Sequence, residues 1–154
     1  DRRHMSTIRT VELAGDARDE FLGTGGTGVL SFAAEAGAPY SVPVSYGYDA
    51  SDGTVYFRLG FVGNGRKAEL VEDERPVSFV TYGETGGRWH SVVATGELEE
   101  ITEPEIGSAA AEGLERVDIP LVDVFERDTE EVQFRFFRLD ADDVTGRREA
   151  QSER

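Results

Sequence analysis

The sequence predicts a mainly β domain, a six-stranded antiparallel barrel with short helices as covers. Three observations predict it. Runs of five to fourteen residues rich in Val, Tyr, Phe and Thr recur along the chain, as strands require. Gly, Asp and Pro cluster between the runs and supply tight turns. Helical spacing of apolar residues is confined to a few short segments, too few for an α/β fold.

Residues 1–14 read as extended or loose, and residues 1–4 as an expression remnant, with Met5 as the natural start. Asp16–Leu22 is a short helix with acidic residues in its first turn, stopped by the Gly/Thr run at 23–28. Strands are expected at Val29–Ala33, Tyr40–Tyr48, Thr54–Leu59, Val77–Tyr82, Arg88–Ile101 and Val132–Leu139. Pro43 inside the second marks an edge, or a place where a missing N–H faces a ligand. Glu84-Thr85-Gly86-Gly87 is a hairpin turn. Arg66–Glu72 is a helix closed by Pro76. In Pro104–Val117, Ile106, Ala110, Leu114 and Val117 form one stripe of a crossover helix, and Val122–Phe125 extends it or forms a helix of its own. Residues 5–140 make a single domain, and 141–154 a polar C-terminal tail.

The chain has 154 residues, no cysteine and two histidines, His4 and His90, which excludes disulfides, thiol nucleophiles, thiolate zinc sites and a His-rich metal centre. No apolar run approaches the ~18 residues of a membrane span, and no secretory leader is visible. The expected location is the cytoplasm. With 31 acidic residues against 16 basic the formal charge is -15, a surface that repels nucleic acid and anionic membranes. Scarcity of lysine among abundant Asp, Glu and Gly points to a salt-adapted protein, in which concentrated salt screens the mutual repulsion to about 3 Å at 1 M.

Lys67 is the only lysine, and it follows Arg66 in Gly63-Asn64-Gly65-Arg66-Lys67, at the start of the expected helix. Glycine allows close backbone approach, and a helix N-terminus favours an anion. The same dipole disfavours two cations there, so an anionic ligand is expected to offset the cost. Arg66 and Lys67 read as a phosphate grip, the alternative being an exposed cationic pair in surface ion pairs with Glu69 and Glu72. Gly23–Gly28 is not a P-loop, since it lacks the Gly-Lys-Ser/Thr ending, and no Ser-His-Asp arrangement marks a hydrolase.

The ordered set PYSVPVSYGYD, TVYFRL, GRKAEL, Pro76 and RWHSVVATGELEEI resembles the pyridoxamine 5'-phosphate oxidase-like split barrels that bind flavin mononucleotide (FMN), and within them the branch that includes nitroimidazole reductases. The resemblance spans residues 14–140. It implies a homodimer with FMN at the subunit interface. Arg66 and Lys67 would grip the phosphate. Val42, Pro43, Val44, Ser45 and Tyr46 would offer backbone groups to the ring edge, and Trp89, His90 and Ser91 would lie beside the cofactor. Trp89 is alternatively core or dimer-interface packing, His90 a proton donor or a structural histidine, and Ser91 a neutral strand residue. Arg58 stands where the family often has His, Ser or Thr, either as a third cation on the phosphate or as a barrel-face arginine. The C-terminal Trp and Arg of the vitamin B6 oxidases have no match here.

The implied activity is flavin-dependent oxidoreduction of a small molecule by hydride transfer at flavin N5, with NAD(P)H as a candidate donor. Two alternatives stand beside it: a non-catalytic flavin or heme carrier, and a deazaflavin (F420) reductase.

Overall fold

The structure is a computed structural model that describes residues 10–62, 65–102, 109–119 and 132–150. Seven strands form one sheet: β1 (Thr10–Glu12), β2 (Gly25–Phe32), β3 (Tyr40–Asp49), β4 (Thr54–Phe61), β5 (Val77–Thr85), β6 (Arg88–Ile101) and β7 (Gln133–Glu149). Their order is β1-β7-β4-β3-β2-β5-β6, and β6 also pairs with β7, so β2 to β7 close into a six-stranded antiparallel barrel with β1 added outside β7. Among the described residues three helices accompany them: α1 (Gly15–Leu22), α2 (Arg66–Glu72) and α3 (Ala109–Arg116).

Alternation along the strands fills the barrel. Leu30, Phe32, Phe57, Leu59, Phe79, Val92 and Phe137 are each at most 2% exposed. Phe79 meets Tyr46 and Phe57 edge-on, with ring centroids 5.2 and 5.0 Å apart. α1 plugs one end: Leu22 is 2% exposed, Tyr46 donates to its carbonyl at 3.1 Å, and Tyr48 donates to the Asp19 carboxylate at 2.5 Å. Burial and the Asp19 carboxylate push the Tyr48 hydroxyl up to about 12, so it remains a donor at neutral pH. The helix stops where Gly23 takes φ +61°.

Two expected boundaries are corrected. The Gly/Thr run at 23–28 is mostly strand, since β2 begins at Gly25. Its glycines serve close packing: a Cβ on Gly28 would lie 2.5 Å from the Val80 carbonyl oxygen, and one on Gly25 would overlap the Asp118 carbonyl. The polar stretch after residue 140 belongs to β7, which runs 17 residues to Glu149. Its Asp140, Asp142, Asp143 and Arg147 are exposed, while Val144 and Gly146 pair with Ala94 and Val92 of the core. A bulge at Thr95/Gly96 re-registers β6 on β7. Residues 10–12, expected to be extended or loose, are extended and pair with 147–149 as β1.

α3 lies over the outer face of β3 and β4. The Arg116 guanidinium grips Asp49 through Nε at 3.0 Å and Nη2 at 2.6 Å. Asp49 is 3% exposed and also accepts from the Ser51 amide and hydroxyl. The expected helix at Val122–Phe125, the first part of the one at 104–117, and residues 1–4 lie outside the described residues.

Candidate functional site

The barrel opens between β3 and β4. Their ladder runs from Asp49↔Thr54 to Ser45↔Arg58 and ends there. Beyond it, Tyr40–Val44 stay paired with β2. Leu59–Phe61 stay paired with β7. The strands splay, and α2 sits at the opening, anchored by Leu70, 5% exposed, with Ala68 and Val71 against the core. Pro43 is exposed and falls in the stretch of β3 that has lost β4, where a missing N–H breaks no β3–β4 bond.

Arg66 and Lys67 both reach this opening. They line a pocket of about 170 Å³ with Tyr40, Gly60, Phe61 and Gly65. Lys67 is half-buried: its Nζ donates to the Gly60 carbonyl at 2.5 Å and lies 5.4 Å from the centre of the Phe61 ring. Burial lowers its pKa. Arg66 is exposed and makes no ion pair with a described residue. Tyr40 and Gly60 were not singled out in the sequence. Only the splay, a relation between strands, puts them beside the cations.

The other candidate positions divide by face. Val44 (8% exposed) and Tyr46 (3%) belong to the core, so at Tyr46 only the backbone is free for a ligand. Pro43 and Ser45 lie on the outer face with Arg58, and Val42 is half-buried. Arg58 stacks its guanidinium 5.2 Å from the centre of the Phe134 ring, the barrel-face alternative. Trp89 is 50% exposed, which removes the core alternative. Its ring lies 6.1 Å from that of Tyr82, itself 67% exposed. Ser91 pairs with Tyr82. His90 stacks on Phe21 at 5.4 Å, with Nδ1 3.0 Å from the Arg88 carbonyl, a structural setting at the α1 end of the barrel. Between Arg58 and Ser91 along the sheet lie β3, β2 and β5, four strand spacings or roughly 19 Å. None of Trp89, His90 and Ser91 lines the pocket that holds Arg66 and Lys67. Among the described residues no cluster of His, Cys, Asp and Glu is arranged to hold a metal ion.

A closed six-stranded barrel that splits beside a short helix bearing paired cations defines the split-barrel class. The model of the pyridoxamine 5'-phosphate oxidase family matches residues 15–148, and the chain belongs to that family. The solved structures it resembles include a FAD-binding protein from Mesorhizobium loti, with 25% identity, TM-score 0.65, and 94% of this chain and 99% of that one covered. The FAD binding protein from Mycobacterium smegmatis has 14% identity, TM-score 0.65, and coverage of 90% and 98%. A candidate 5-nitroimidazole antibiotic resistance protein from Bacteroides thetaiotaomicron has 18% identity, TM-score 0.57, and coverage of 94% and 92%. No curated protein matches the chain.

Proposed function

We propose that this chain is a flavin-binding oxidoreductase acting on a small molecule, with the phosphate of an FMN moiety held at the β3–β4 split. The observation that carries this reading is the pocket itself. In a chain of charge -15, an exposed arginine with no ion pair among the described residues stands beside the only lysine, where two strands part. A dianionic ester suits that site, since guanidinium and ammonium donors make charge-assisted hydrogen bonds to phosphate. The names of the Mesorhizobium and Mycobacterium structures support a flavin as the ligand.

The chain's own tasks follow from the splay. Arg66 and Lys67 bind the phosphate. Backbone groups along Val42–Tyr46, on the strand whose β4 ladder stops at Ser45, are the ones available to the polar edge of the ring. Tyr40 and Phe61 line the same pocket. A bound flavin supplies hydride chemistry at N5, and NAD(P)H is the candidate donor.

The second part of the reading is a homodimer. Pro43, Val29, Val80 and Val93 form one cross-strand row on the outer face, with the exposed Tyr82 and Trp89 beside it. These six positions carry no charge in a chain that is 31% charged, so two strongly acidic copies meet there with least repulsion. A second copy would bring Trp89 and Ser91 to a cofactor that its own Arg66 and Lys67 do not share.

The test is the visible spectrum of the purified protein, followed by flavin titration of the Arg66→Ala, Lys67→Ala double variant. A flavin absorbance is expected, with affinity in the variant lowered by about tenfold or more, since each charge-assisted bond contributes ~1.5–3 kcal/mol. A Soret band, or undiminished affinity in a folded variant, would overturn the assignment.

A further inference from the structure

A second opening lies at the far end of the β3–β4 ladder from the split. It is bounded by α1, by Gly53 in the β3–β4 turn and by β7, and has a volume of about 60 Å³. Leu22, Val55, Phe79, Val92, Leu139 and Val144 make its walls apolar. Arg18 and Tyr48 supply the polar side chains, and no carboxylate is among its described lining, in a chain with 31 acidic residues.

Arg18 is the group with capacity to spare. It is half-buried, and its stem lies along β7, with Cδ 3.5 Å from where a Cβ on Gly146 would stand. Its Nη1 donates to the Val144 carbonyl at 3.4 Å, a long hydrogen bond. It makes no ion pair with a described residue, although the net charge is -15. A guanidinium presents a fork of N–H donors, and most of this fork is left for an acceptor. The Tyr48 hydroxyl, by contrast, is committed to the Asp19 carboxylate at 2.5 Å.

The size and lining of the crevice select the ligand. One water-sized group occupies about 10–15 Å³, so this space takes about four to six non-hydrogen atoms. Water would find few partners on these walls, and a hydrocarbon would leave the guanidinium unmatched. A phosphate would bring charge that apolar walls cannot meet. A short monocarboxylate matches both parts: its oxygens accept from the guanidinium fork, and a tail of about one to three carbons covers the apolar walls.

We propose that the crevice between α1, the β3–β4 turn and β7 binds a short-chain monocarboxylate, with its carboxylate on Arg18 and its tail against Val55, Leu139 and Val144. The site is separate from the flavin pocket, and the inference stands without the flavin reading. An occupant ties α1 to β7 and stabilises the fold by binding only the folded state.

The test is titration of the isotopically labelled full chain with acetate, propionate, butyrate and hexanoate, followed by NMR. Ionic strength is held constant with KCl, which also serves as the reference, because an acidic chain responds to any salt. Saturable shifts are expected at the amides of Arg18, Leu22, Val55 and Val144, with propionate or butyrate binding tightest and hexanoate outgrowing the space. Arg18→Gln is expected to lower butyrate affinity about tenfold or more, one charge-assisted bond's worth. Ala141→Leu, at an exposed position of the lining, is expected to block the crevice without loss of fold, and it decides the matter if the Arg18 variant does not fold. Shifts no larger than those from KCl overturn the inference, as does an affinity that a folded variant leaves unchanged. An affinity that keeps rising to hexanoate overturns it too, since this space could not be the one that is filled.

Discussion

Gly28 and Gly113 sit where neighbouring atoms leave no room for a methyl group. A Cβ at Gly28 would lie 2.6 Å from a Phe79 ring carbon, and one at Gly113 would overlap the Tyr56 hydroxyl under α3. Gly28→Ala is expected to cost about 1–3 kcal/mol by overpacking, read as a lowered midpoint in urea. Phe79 has no exposed surface and aromatic neighbours on two strands, and Phe79→Ala is expected to lose about 3–5 kcal/mol. Lys67 differs in kind. Its ammonium is half-buried against the Gly60 carbonyl and the Phe61 ring, and burial already lowers its pKa. Loss of its proton at alkaline pH is expected to weaken flavin binding at a lower pH than an ordinary lysine would, and Lys67→Arg to move that limit upward, measured as affinity against pH.

At the scale of elements, the clamp between α3 and the β3–β4 hairpin is a pH-sensitive contact. The Arg116 guanidinium and the Ser51 donors hold the Asp49 carboxyl below its ordinary value of 3.8. A carboxyl with a depressed folded-state pKa contributes stability above its unfolded value and loses it as pH falls through the depressed one. The Tm difference between the parent chain and Asp49→Asn is therefore expected to be full at neutral pH and to shrink as pH drops below about 4. A difference independent of pH would show that the carboxylate charge is not what α3 depends on. This clamp was illegible in the sequence, because Asp49 and Arg116 stand 67 positions apart and 31 acidic residues make any one carboxylate anonymous. The strands were legible because alternation and turn glycines are local signals: Gly86 and Gly87, with φ of 60° and 79°, mark the β5–β6 turn in both sequence and structure. Where reading failed, tertiary packing had overridden local preference. The glycines of β2 look like a loop until Phe79 and Asp118 are seen pressed against them, and the charged half of β7 looks like a tail until β6 and β1 flank it. For the candidate site, the placing of Arg66 and Lys67 side by side at the start of a helix was legible in the sequence, whereas the splay that sets them at a pocket is a property of which ladders end.

For the whole molecule, charge and association are linked. A net charge of -15 on 154 residues opposes both compaction and self-association at low ionic strength. Thermal melting in a KCl series is expected to give a Tm that rises with salt, and a Tm independent of KCl would remove the salt-adapted reading. The uncharged row on the outer face makes a second measurement decisive. Trp89→Glu with Tyr82→Glu, both exposed and outside the core, is expected to shift the mass in solution from dimer to monomer without loss of fold, while a dimeric variant would place the interface elsewhere. Residues 15–148, the span of the family match, contain β2 to β6 whole and all of β7 but Glu149.

β7 touches β1, β4 and β6, joining strands from both ends of the sheet order. It is also the last of these seven strands to be synthesised. During synthesis the cylinder therefore waits as an open sheet with two raw margins, and one late segment must stitch both at once. Deleting residues 141–149 would leave a molecule that cannot seal, with β6 exposed along half its length to the next nascent chain.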